Sequence, residues 1–172
     1  MKAPKPPLPP KGLKIISGGQ AGVDRAALDF ALQHGFAHGG WCPKDRGAED
    51  GPIAARYDLQ ETPSSDPAQR TEWNVRDSDG TVIFSNGRTL SGGSRLTAAL
   101  AAHYHKPCLH LHPGSVDPAG KLTHFLRDHR IQVLNVAGPR ASQEPQVGEF
   151  VVRVLKRVFL RKGHTHRKNS KA

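Results

Sequence analysis

Cysteine is scarce in this chain. Two occur among 172 residues, Cys42 and Cys108, and they form neither a metal-binding spacing nor a redox pair. This excludes a disulfide scaffold and a zinc ribbon, and fits a reducing, cytoplasmic setting. Long apolar runs are missing too. No stretch reaches the roughly 18–20 apolar residues of a membrane-spanning helix. Met1-Lys2 leads into prolines, where a signal peptide would begin its apolar core. No membrane partner is expected. Hydrophobic residues make up only 36% of the chain, a low share that polar tails explain in part. Acidic residues are absent from both ends. Residues 1–14 hold four lysines and residues 153–172 hold eight Lys/Arg, with no Asp or Glu in either stretch. Residues 15–152 carry 13 Lys/Arg against 15 Asp/Glu, so the net charge of +10 resides in the tails. Such tails can bind nucleic acid or anionic surfaces weakly and without sequence preference, and more often only solubilise the chain. A nucleic-acid partner is therefore expected only through them.

What the chain does contain is an alternation of short apolar strands and amphipathic helices. Lys2–Lys11 is proline-rich and is expected to be disordered, as is the basic stretch 163–172, with one domain over 12–162. Strands are expected at Leu13–Ser17, at Trp41-Cys42, at Thr81–Ser85 after the turn Asp79-Gly80, at Pro107–Leu111 and at Gln132–Val136. Helices are expected at Val23–His34, at Pro67–Ser78 capped by Ser64 or Ser65, at Ser94–His105, at Pro118–Asp128 and at Gln146–Leu160. The last helix carries Val147, Phe150, Val151, Val154, Leu155 and Val158 as one apolar stripe. Pro43–Asp66 is long, polar and without periodicity, as functional loops often are, and Tyr57–Leu59 within it fits a short strand. The alternation predicts a three-layer Rossmann-like α/β fold, a parallel sheet with helices on both faces.

Two strand–glycine–helix junctions stand out. Ile15-Ile16-Ser17-Gly18-Gly19-Gln20-Ala21-Gly22 precedes the first helix, and Thr81–Phe84 leads to Ser91-Gly92-Gly93-Ser94 at the start of another. Glycine at such a turn allows close backbone approach, and a helix start offers free N–H groups and a positive dipole end to an anion. Neighbouring parallel strands open their C-terminal ends onto one crevice. Neither junction is a dinucleotide fingerprint or a Walker loop. Taken alone, each also fits a tight βα turn that needs glycine for its backbone angles. Asp24 and Arg25 lie in the first helical turn; Arg25 suits a phosphate, while Asp24 suits either a ligand donor or a helix cap. Lys44 lies in the mixed-charge loop 43–52, expected over the crevice. Arg70, Asn74 and Asp77 share one helix face. His110 and His112 alternate on a strand and point to one side, without a third metal ligand in view. No nucleophile elbow, serine triad or carboxylate pair is visible.

Dense blocks at 16–29, 40–44, 48–53, 70–81 and 90–97 resemble the molybdenum cofactor carrier proteins, over about residues 13–155. More distantly, the chain is similar to the LOG-type (lysine-decarboxylase-like) phosphoribohydrolases and the DNA-processing Smf proteins. The resemblance implies a carrier that holds the phosphate of molybdopterin and shields its molybdenum. It implies a phosphate on Gly18, Gly19, Gln20, Ala21 and Gly22, or on Ser91, Gly92, Gly93 and Ser94 beside Thr97; of the two, the first turn is the one expected. LOG-type enzymes carry a glutamate just after the second glycine turn. Here Gly92-Gly93 is followed by Ser94-Arg95-Leu96-Thr97-Ala98-Ala99-Leu100, with no acid before Asp117. Glu49, Asp50 and Glu72 are the candidate substitutes. The expectation is a binding and storage protein for a phosphorylated cofactor, with a nucleotide-binding or nucleotide-hydrolysing enzyme as the alternative. The alanine-rich helix Ser94–His105 suggests a homo-oligomer.

Overall fold

A computed structural model describes residues 11–160. Apart from Lys11, the tails expected to be disordered lie outside the described residues. In chain order the elements are β1 (Lys14–Ile16), α1 (Val23–Gln33), β2 (Ala37–Gly39), β3 (Trp41–Cys42), β4 (Gln60–Glu61), α2 (Pro67–Arg76), β5 (Gly80–Phe84), α3 (Gly92–His103), β6 (Cys108–Leu111), α4 (Pro118–Asp128), β7 (Val133–Ala137) and α5 (Val147–Phe159). Five strands form a wholly parallel sheet in the order β2-β1-β7-β5-β6. The Rossmann-like α/β layout expected from the sequence is the observed one. α5 packs against both α1 and α4, and α2 pairs with α3.

The centre of the sheet explains the apolar runs. Every residue of β5 is buried, as a strand covered on both faces requires. The predicted stripe on α5 is buried in full, and its Phe150 meets Phe84 edge to face at 5.6 Å between ring centroids. Full burial of each such side chain contributes roughly 1.5–3 kcal/mol. A second, smaller cluster of Leu28, Cys42, Ile53, Tyr57 and Leu59 fastens the long loop to α1.

Several local expectations need correction. The strand beside β1 is Ala37–Gly39, and Trp41–Cys42 instead pairs with Gln60–Glu61 in a separate two-stranded ladder. An Ala-His-Gly strand carries no β-branched or aromatic signal. Tyr57–Leu59 is a turn, with the Leu59 N–H on Tyr57 O, and the strand follows it at Gln60. α2 is capped by Asp66, which accepts from Ala68 N at 2.9 Å with Pro67 behind it in the first turn; Ser64 supports the cap by accepting from Asp66 N. α3 starts at Gly92, two residues earlier than expected, so both glycines belong to its first turn. The last strand in sequence, β7, is the middle strand in space.

Candidate functional site

The sheet order reverses direction around β7. From β1 the chain crosses to β2 on one side, and from β5 to β6 on the other. Helices after β1 and β5 therefore diverge, and a crevice opens beyond the C-terminal ends of the strands between them. A cleft of about 410 Å³ occupies this place, within the usual range for small-molecule sites. Its walls are the turn after β1, the N-terminal half of α2, the segment from Ser85 to the first turns of α3, and the segment Asn135–Glu144.

The two glycine turns differ in what they leave free. At the first, much of the backbone is tied to the protein itself. The N–H of Gln20 goes to Asp24 Oδ2, that of Ala21 to the Gln20 side chain at 3.0 Å, and that of Val23 to Pro139 O. The glycines serve packing. A Cβ on Gly18 would collide with Arg70, one on Gly19 with Leu59 and Ile53, and one on Gly22 with Pro139 O and Ala141 N. Gly22 also holds a φ of +115°, which side chains other than glycine rarely adopt, and it bridges to Arg140.

At the second turn the opposite holds. Ser91 makes no side-chain cap, and the first N–H of α3 to reach an intrahelical acceptor is that of Arg95, on Ser91 O at 3.2 Å. The N–H groups of Gly92, Gly93 and Ser94 precede it and have no intrahelical partner. Space around both glycines is open, with nothing within 4 Å of an added Cβ.

Arg70 enters the cleft from α2 and is 9% exposed. Its Nη1 donates to Gly18 O at 2.9 Å and meets Asp24 Oδ2 at 3.3 Å. Its buried Nε has no hydrogen-bond partner. Asp24 is 7% exposed, and burial pushes its carboxyl above the usual carboxylate range against the pull of Arg70.

Of the residues singled out in the sequence, Gly18, Gln20, Asp24, Arg70, Asn74, Ser91, Gly92, Gly93, Ser94 and Thr97 line this cleft. Gly19, Ala21, Gly22, Arg25 and Lys44 are not among its lining. Arg25 is spent on Gly19 O and on an ion pair with Asp50 at 3.0 Å. Lys44 is exposed on the loop, its N–H on Ser64 O. Asn74 is committed to structure: its Oδ1 accepts from Trp41 N at 2.8 Å, and its Nδ2 donates to Trp41 O at 2.9 Å. Asp77, on the same helix, accepts from Trp41 Nε1. The candidate carboxylates do not reach the cleft either. Glu49 accepts from Ser142 N and Oγ, Asp50 pairs with Arg25, and Glu72 accepts from Tyr104.

Sequence reasoning missed the wall after β7, which brings Asn135, Gly138, Arg140, Gln143 and Glu144 to the cleft. Its signal was a third strand–glycine junction, Val136-Ala137-Gly138-Pro139. Glu144 puts a carboxylate there, its Oε2 accepting from Asn86 N at 2.6 Å. His110 on β6 and His112 just past its end have ring centroids 5.5 Å apart. Among the described residues no group of three or more His, Cys, Asp or Glu is arranged to hold a metal ion, and no helix is long and apolar enough to cross a membrane.

A parallel sheet with its crevice at a reversal of strand order defines a Rossmann-like ligand-binding protein. Residues 15–159 match the family described as the circularly permutated YpsA SLOG family, and the chain belongs to that family. It is also similar to a protein of known structure from Syntrophus aciditrophicus SB, named "putative molybdenum carrier protein". The two are 50% identical over 88% of this chain and 97% of that one, with a TM-score of 0.84. No curated protein matches the chain.

Proposed function

We propose that the cleft binds and stores a small phosphorylated ligand, and that this ligand is molybdenum cofactor. The observation that carries the reading is the unsatisfied first turn of α3, with Gly92, Gly93 and Ser94 open to the same cleft that the buried Arg70 enters. Free helix N–H groups and a guanidinium together form a phosphate site. The volume suits a pterin-sized molecule. The name of the Syntrophus aciditrophicus relative supports the choice of cargo. The molybdenum would travel on the sulfur atoms of the cofactor itself, and this chain's residues would grip the phosphate and exclude water.

In this arrangement Ser91, Gly92, Gly93, Ser94 and Thr97 face the phosphate. Arg70 neutralises it, and Gly18, Gln20 and Asp24 form the wall toward the rest of the ligand. The first glycine turn acts as scaffold. On α3, Leu96, Ala99 and Ala102 are exposed and support assembly into a homo-oligomer.

The alternative, a nucleotide-hydrolysing enzyme, has one observation in its favour: Glu144 and Asp24 place carboxylates in the cleft. Both are engaged, Glu144 by Asn86 N and Asp24 by Arg70 and Gln20 N. We expect the protein to retain a phosphorylated pterin and to release no ribose 5-phosphate from nucleoside monophosphates. Chromatography of a long incubation tests this. Turnover near about one per second, the low end of ordinary enzymes, would overturn the storage reading.

A further inference from the structure

We propose that Ser85 is a nucleophile activated by His110, giving the cleft the means to attack a phosphoester held there. The inference rests only on the binding part of the reading above, that the cleft takes a phosphorylated ligand; a phosphoester cleaved there is not stored, so the dyad stands in place of the storage role. Ser85 follows β5 directly, at the C-terminal edge of the sheet, and lines the cleft while only 4% exposed. Its Oγ lies 2.6 Å from Nε2 of His110 on the neighbouring strand β6. That strand pairs with β5 in fixed register, Ile83 opposite His110 and Phe84 opposite Leu111. The buried strand β5 and its half-buried neighbour β6 thus hold a hydroxyl and an imidazole within hydrogen-bond reach, the geometry that activates a serine.

The surroundings suit the chemistry. Burial pushes the His110 imidazole below its ordinary range, the neighbouring His112 adds to this, and Glu144 pulls the other way. A neutral imidazole is a base at neutral pH. The open N–H groups of α3 and the Arg70 guanidinium line the same cleft and would hold the charge on the phosphoryl oxygens.

In the first step Oγ attacks phosphorus. The Oγ–P bond forms, the bond from phosphorus to the ester oxygen breaks, and the hydroxyl proton passes through His110 Nε2 to the departing alkoxide. A water, deprotonated by the same nitrogen, then attacks the phosphoserine. The Oγ–P bond breaks, the proton returns to Ser85, and inorganic phosphate leaves.

The competing arrangement is structural. Ser85 Oγ also lies 2.9 Å from Gly87 O. If Nε2 carries the proton, His110 donates to Ser85 and the hydroxyl donates to that carbonyl, which leaves no activated nucleophile. A fluorophosphonate probe separates the two, since an activated serine displaces fluoride and keeps the phosphonyl group. We expect one adduct, mapped to Ser85 by mass spectrometry. It should be absent in Ser85→Ala and form at least about 100-fold more slowly in His110→Gln, the lower end of what a general base supplies. No adduct at Ser85 in the wild-type protein, or equal labelling in His110→Gln, overturns the proposal. Calorimetry with inorganic phosphate on the same wild-type protein keeps the readings apart. Labelling without phosphate binding would fault the ligand assignment, and phosphate binding without labelling would fault the dyad.

Discussion

Arg70 of α2 and Asp24 of α1 form an ion pair at 3.3 Å on the wall of the cleft, each side chain 10% exposed. The pair joins the two helices that flank the first glycine turn, and Gly18 is glycine because the arginine lies against it. Removing one partner of a buried pair leaves an uncompensated charge, at a cost of about 3–5 kcal/mol. Arg70→Met should lower the unfolding free energy by that order in urea titrations. Asp24→Asn combined with Arg70→Met should recover much of the loss. A double variant as unstable as the sum of the singles would contradict a coupled pair.

Asp24 also sets a pH dependence. Its ordinary pKa is 3.8, and burial raises it in the folded protein. Between the two values the native state binds more protons than the unfolded state, so stability falls as pH rises through that window. Asp24→Asn removes this slope. The wild-type minus variant difference in unfolding free energy should therefore grow as pH is lowered from neutrality. A difference independent of pH would show that Asp24 is not raised.

Glycines of the two turns should respond in opposite ways. At Gly22 a Cβ would lie 2.6 Å from Pro139 O and 2.7 Å from Ala141 N, at a φ of +115°. Gly22→Val should lower the melting temperature sharply, since strained backbone alone costs about 1–3 kcal/mol. Gly93 has open space around it. Gly93→Val should leave the melting temperature within a few degrees and weaken phosphate binding at least about tenfold, a loss of about 1.4 kcal/mol. Thermal scans beside calorimetry decide this; a stable Gly22→Val protein would remove the scaffold role of the first turn.

Asn74 clamps β3 through both hydrogen bonds to Trp41. Asn74→Ala should strand the part-buried N–H and carbonyl of Trp41, costing up to about 1–3 kcal/mol. Trp41 and Trp73 meet edge to face at 4.7 Å between centroids, so their fluorescence should report the loosened ladder before global unfolding. Unchanged emission and stability would reduce Asn74 to a surface of the cleft.

Much of this fold was legible in the sequence, and the exceptions have physical causes. α4 and the apolar stripe of α5 follow from helical periodicity and from proline just inside a helix start. β2 was hidden because Ala-His-Gly pairs only through its backbone. Asp66 displaced the two serines as cap because Pro67 fixes the first helical residue directly after it. The site was half legible. Both glycine turns border the cleft, yet which one is open depends on distant partners, Pro139 and Ala141 for one turn and none for the other. Glu144 and Arg140 entered through β7, whose central place is set by pairing with β1 and β5. The near balance of charge on the body, 13 Lys/Arg against 15 Asp/Glu over residues 15–152, fits a cleft with few charges, Arg70 and Arg140 against Asp24 and Glu144.

The most direct test of the central claim is titration calorimetry of a phosphorylated pterin into the wild-type protein and into Gly93→Val and Arg70→Met. The account predicts one ligand bound per chain by the wild type, with affinity at least about tenfold weaker in each folded variant. Equal affinity in all three proteins would contradict a phosphate site built from the first turn of α3 and Arg70.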